Sequence, residues 1–120
     1  MTESHRSVDP GALDRLLEMT GGDPEFLDEL ILTFFKDAVV QLAAMRGAAD
    51  TGASADLVRP AHSLKSNSAS MGAARLSEQC RGLEADARAG AVNRAADRVA
   101  EAADEFERVR AEITALQAAR

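Results

Sequence analysis

Between Ala61 and Gly72 the chain reads AHSLKSNSASMG, which sets His62, one of only two histidines, three residues before Lys65 and among four serines. A solvent-exposed imidazole is mostly neutral at pH 7, and the neutral ring carries a lone pair that makes it a nucleophile toward phosphorus. Once phosphorylated, the nitrogen would carry about two negative charges. A lysine three residues on shares the same helical face and can offset them, which makes Lys65 the natural stabiliser.

That chemistry requires the ring to face water, so the elements that carry it must be placed. The chain has 120 residues, the size of one domain with one core. Tyr and Trp are absent and only four Phe occur, a balance that suits helices better than strands. Asp9-Pro10 is a helix start and Gly21-Gly22 a stop, with Leu13, Leu16 and Leu17 apolar between them. Asp23-Pro24 starts a second helix whose apolar positions run from Leu27 through Phe34 and Leu42 to Ala49, ending near Asp50.

A third helix is marked by Leu57, Ala61, Leu64, Ser68 and Met71, closed by Gly72. A fourth turns Leu76, Cys80, Leu83 and Ala87 inward and ends at Gly90. The last, of up to seven turns, runs from Val92 through Val99, Phe106 and Ile113 to Leu116. The expected fold is all-α: an antiparallel four-helix bundle with an additional short N-terminal helix, spanning residues 8–118 behind a flexible arm at 1–7. Pro60 conflicts with a regular third helix, which must kink there or begin near it.

With about 100° per residue and the third helix's apolar stripe at 0°, His62 falls near 140°, facing away from the core. By the same count Lys65 lies near 80°, Ala69 near 120°, Ser66 near 180° and Arg59 near 200°. A surface histidine without a role needs no such neighbours, and that reading stays open. Two features weigh against it. From Leu57 to Gly82 the basic residues Arg59, Lys65, Arg75 and Arg81 face one acid, Glu78, a positive island that suits an anion. Ser66 and Ala69 are small, leaving room for another protein beside the ring, so Arg59, Ser66 and Ala69 are candidate docking residues.

Other chemistries find little support. The balance of 14 Lys plus Arg against 20 Asp plus Glu, a formal charge of −6, disfavours nucleic acid and anionic membranes. No signal or spanning segment occurs, so a cytoplasmic protein is expected. Cys80 has no disulfide partner and reads as a reduced core residue, while Met19, Met45 and Met71 read as core or helix-end packing. A di-metal bundle needs Glu three residues before His, but Thr2 and Arg59 stand before His5 and His62. His5, in the arm, reads as having no role. No G-x-x-x-x-G-K loop is present to bind a nucleotide.

The stretch AHSLKSNSASMGAARLSEQCRGLE resembles the histidine phosphotransfer (HPt) domains of bacterial multistep phosphorelays, whose pattern is H-x-x-K-G/S, a run of small residues, a hydrophobic residue and Gly. The resemblance lays His62 on the phosphoacceptor, Lys65 on the charge-compensating lysine, Ser66 on the small position and Gly72 on the helix-ending glycine. Helix order agrees from about Val8 to Leu116. The departures are Ser66 where Gly is common, and Pro60 just before the motif.

Family members often carry Gln or Glu one helix later that bonds the ring, and the matching residue is Glu84; a solvated charge is the alternative. The resemblance implies phosphoryl transfer between receiver-domain aspartates through His62, without ATP-dependent kinase activity or a cofactor, the Mg²⁺ belonging to the receiver. The implied partners are response-regulator receivers, a hybrid sensor kinase, or both, docking on the His62 face with surface from the first two helices. A monomer is expected. The start at Met1 suggests a free-standing module, although a domain excised from a hybrid kinase would read the same. The competing function is a helical adaptor that is never phosphorylated.

Overall fold

Five helices follow one another in the computed structural model, which describes residues 6–119: α1 (Gly11–Met19), α2 (Pro24–Thr51), α3 (Val58–Ser70), α4 (Ala74–Arg88) and α5 (Ala95–Ala118), with a 3-10 turn at Ser54–Leu57 before α3. Side-chain chemistry sets the start of α2. Asp23 accepts hydrogen bonds from the backbone N–H groups of Glu25 and Phe26 at 3.0 and 3.3 Å, with Pro24 as the first helical residue. At α1 the N-cap is Pro10, and Asp9 just before it takes the Gly11 N–H at 3.1 Å, while Arg15 beside it lowers the Asp9 carboxyl below its usual range.

The four long helices close a ring in which α3 lies against α2 and α4, and α5 against α4 and α2. Short connections make successive helices antiparallel. All five residues of the expected α3 stripe are buried, as are Leu76, Cys80, Leu83 and Ala87 of α4. Phe34 and Phe35 of α2 meet Phe106 of α5 with ring centroids 6.0 and 6.2 Å apart in edge-on contacts. Burial pushes the Cys80 thiol up to about 12, leaving it an inert packing group.

Several expectations need adjustment. Of the two alternatives for Pro60 the second holds: α3 starts close to it, at Val58, and Pro60 is the third residue of the first turn, where no N–H is needed to bond within the helix. The last helix begins at Ala95 rather than Val92, because Arg94 takes φ 55° in the left-handed region and breaks the helical phase. Met45 and Met71 are buried, but Met19 at the end of α1 is 80% exposed and packs on nothing in the core. Of the expected arm at 1–7, residues 1–5, with His5, lie outside the described residues. Ser7 is buried, and its N–H and that of Val8 donate to the Glu112 carboxylate at 2.8–3.0 Å.

That tether lays the N-terminal segment across the turn that ends α3. The Asp9 N–H donates to the Gly72 carbonyl at 2.9 Å, and Gly72 has φ +77° with a virtual Cβ only 2.4 Å from the Ala12 Cβ. Both backbone conformation and space therefore require glycine here. Gly72→Ala should destabilise the protein by about 2–4 kcal/mol, combining left-handed strain with overpacking. Gly47→Ala, in α2 with open space around the position, should stabilise it by about 0.5–1 kcal/mol. Urea unfolding of the two variants checks both signs.

Candidate functional site

His62 projects from α3 with 55% of its side chain exposed, as the helical phase requires. Glu84 of α4 is buried, and it reaches α3 from the inner side of α4, where Leu83 and Ala87 are also buried and the two helices pack together. The Ser77 hydroxyl adds a cross-link by donating to the Lys65 carbonyl at 2.9 Å. The small residues of α3 let the two helices approach closely enough for one carboxylate to serve both.

Three basic side chains converge on Glu84. Its Oε1 lies 2.8 Å from Lys65 Nζ, and its Oε2 lies 2.9 Å from His62 Nδ1 and 2.7 Å from Arg88 Nη2. The bond to Lys65, then that to Arg88, holds the Glu84 carboxyl down at about 2; burial opposes this, and the His62 bond adds a smaller pull in the same direction. Glu84 is therefore ionised at neutral pH and can only accept hydrogen bonds. For a neutral ring, the proton must then sit on Nδ1, donated to Glu84, and Nε2 must carry the lone pair. Two permanent cations against one carboxylate leave the cluster with a net charge of +1.

Sequence reasoning did not name Arg88, although Glu84 and Arg88 stand four apart on one helix, a spacing that favours ion pairs. Arg81, counted in the positive island, is paired with Glu78. Arg59 and Arg75 are exposed with no ion pair among the described residues. Lys65 is 29% exposed and engaged by Glu84, so it is not free beside the ring.

On the other side of His62, α2 and α3 enclose a groove of about 620 Å³. Leu30, Phe34 and Met71 give it apolar surface, and Ser66, Asn67 and Ser70 form its α3 wall with His62. Asn67 Nδ2 donates to Asp37 Oδ2 at 2.8 Å across the groove, and Gln41 donates to the other Asp37 oxygen at 3.1 Å. Ser66 thus borders the groove, whereas Ala69 is exposed but does not line it. No cluster of three His, Cys, Asp or Glu able to hold a metal occurs among the described residues, and no helix there is long and apolar enough to cross a membrane.

The Hpt domain family model matches residues 29–119, from early α2 to the end of α5. The chain belongs to the Hpt domain family. The crystal structure of histidine-containing phosphotransfer protein B (HptB) from Pseudomonas aeruginosa PAO1 is similar throughout, with a TM-score of 0.86 and 29% identity over 98% of this chain and 99% of that one. Comparison with the curated proteins gives no match. The five-helix architecture is thus the Hpt helical bundle, and its function is histidine phosphotransfer in phosphorelays, in which Hpt domains interact with receiver domains and kinases.

Within this Hpt domain the depressed Glu84 value makes a pH-dependent contribution of definite sign. The folded value lies below the ordinary 4.5, so the stability it brings is fully present above about pH 4.5 and lost as pH falls toward 2. Glu84→Gln should unfold at lower urea than the parent at pH 7, with the difference shrinking through that acid range. Urea midpoints measured across the range check this, and a pH-independent difference contradicts it.

Proposed function

We propose that His62 is the phosphoacceptor of this Hpt domain. The observation that carries the reading is the bond from Nδ1 to an ionised Glu84, which assigns the lone pair of an exposed ring to Nε2. Nε2 attacks the phosphorus of an aspartyl phosphate on a receiver. The N–P bond forms as the bond from phosphorus to the aspartyl oxygen breaks, and the electron pair returns to the receiver's carboxylate. The ring gains positive charge as the bond forms, and Glu84, holding the Nδ1–H, stabilises it. The reverse step hands the phosphoryl group to a second receiver. The Mg²⁺ of such a transfer belongs to the receiver.

Lys65 offsets the incoming charge. Its bond to Glu84 places it beside the ring beforehand, and Arg88 can keep Glu84 paired if Lys65 turns toward the phosphoryl oxygens. Arg59, Ser66 and Ala69 form the surface around the ring on which a receiver of a response regulator or hybrid kinase docks. The domain, residues 8–118, works as a monomer in the cytoplasm, with an acidic balance unsuited to nucleic acid or anionic membranes.

Incubation with a phosphorylated receiver should label the protein in an acid-labile, alkali-stable form, and His62→Gln should abolish that label while leaving receiver binding measurable. An unlabelled but folded parent protein, tested against every receiver of its organism, would favour the adaptor function. Lys65→Ala should slow transfer about tenfold, equivalent to roughly 1.4 kcal/mol of transition-state stabilisation. Rapid-quench measurement of label transfer gives that rate.

A further inference from the structure

The two carboxylates near His62 are compensated differently. Glu84 is met by Lys65 and Arg88, whereas Asp37, which lines the α2–α3 groove with His62, is met only by the neutral amides of Asn67 and Gln41. Amide donors satisfy oxygen lone pairs without cancelling the charge. No Lys or Arg among the described residues pairs with Asp37. Asn67 moreover stands within the small-residue run of α3, where a long polar side chain is not needed for close helix packing.

The groove around this charge combines the polar α3 wall with apolar surface from Leu30, Phe34 and Met71. At about 100° per residue, Phe26, Leu30, Asp37 and Val40 fall on one stripe of α2. Phe26 is 46% and Val40 61% exposed, flanking the groove that Leu30 and Phe34 line. The face around the ring therefore carries charge of both signs: the net positive cluster at Lys65, Glu84 and Arg88 together with exposed Arg59, and a negative point at Asp37 on the α2 side. A partner bringing a phosphoryl group to the first is held in one rotation about His62 by a cation that meets the second.

We propose that Asp37 is a specificity-determining residue, selecting receivers that present a Lys or Arg to it beside the apolar side chains they seat in the α2–α3 groove. This rests on the reading of His62 as phosphoacceptor. Asn67 and Gln41 hold the Asp37 carboxylate in place, so the partner's cation meets a positioned charge. Receivers with an acidic or apolar residue at that point leave the Asp37 charge buried without a counter-ion and are disfavoured.

The test uses the full chain and the phosphorylated receiver that transfers to it fastest. D37N, checked for folding by circular dichroism, should raise KM for that receiver about tenfold with a much smaller change in kcat, and flatten the salt dependence of KM. D37K should raise KM further, and Glu in place of one surface Lys or Arg of the receiver should restore much of the loss with D37K while weakening transfer to the parent protein. A fall in kcat at constant KM, indifference of every receiver to D37N, or failure of all charge swaps would overturn the proposal. A concentration-dependent dimer of the parent that D37K dissolves would also overturn it, by giving the groove to a second copy. A parent protein that takes no phosphoryl group from any receiver overturns the phosphoacceptor reading and this inference together, whereas active parent protein with an indifferent D37N overturns this inference alone.

Discussion

The site depends on a single carboxylate, that of Glu84, carried across from α4 to sit beneath a ring on α3. Burying a carboxylate is costly unless its lone pairs and charge are met, and here three basic side chains meet them. What results is more than stability. The same charge that Lys65 and Arg88 hold ionised obliges the proton of a neutral His62 ring onto Nδ1, so an electrostatic condition on one residue fixes which nitrogen of another carries the lone pair. Lysine and arginine are not duplicates in this arrangement, since each holds a different oxygen and one can move without stranding the carboxylate.

That condition transmits demands into the fold. Glu84 reaches His62 only if α3 and α4 keep their register, and the register is fixed at the turn joining them. Gly72 ends α3 in a left-handed conformation against Ala12, its carbonyl takes the Asp9 N–H, and Glu112 of α5 holds Ser7 and Val8 just upstream. The short N-terminal helix thus has a part in positioning the site although it contributes no atom to it. Small side chains along α3 complete the requirement by letting the two helices come close.

The helices were legible because their apolar spacing and their caps agree: Leu57 to Met71 predicted the burial of α3, and the same phase predicted that His62 faces water. Where readings diverged, the cause was three-dimensional. Arg94 in the left-handed region leaves no periodic trace, so α5 was extended back to Val92. Pro60 looked like a conflict until the helix start at Val58 placed it in a first turn that needs no donor. The site was half legible. His62 and Lys65 share a local spacing, but Glu84 is tied to them across 22 residues, and its link came through family resemblance. Arg88 had a visible spacing to Glu84 but no meaning until Glu84 was seen to be buried. Asp37 and Asn67, 30 residues apart, share nothing that a helical period reveals.

Phosphorylation of His62, as proposed, would cancel the net charge of this cluster. With a neutral ring the cluster of Lys65, Glu84 and Arg88 carries +1, and on the proposed reading Nε2 gains a phosphoryl group of net charge −1 while the ring keeps its Nδ1–H, which brings the whole to about zero. The partner changes by the opposite amount as it gains or loses the same group. A complex held together chiefly by the phosphoryl group would therefore bind one direction of transfer and resist the other. The groove and Asp37 lie to the side of the reacting atoms and do not change when the group moves. Docking energy drawn from them, on the proposed reading, would be common to both states of the pair, which would keep donor and acceptor complexes close in free energy and leave the direction of flow to the supply of phosphorylated partners.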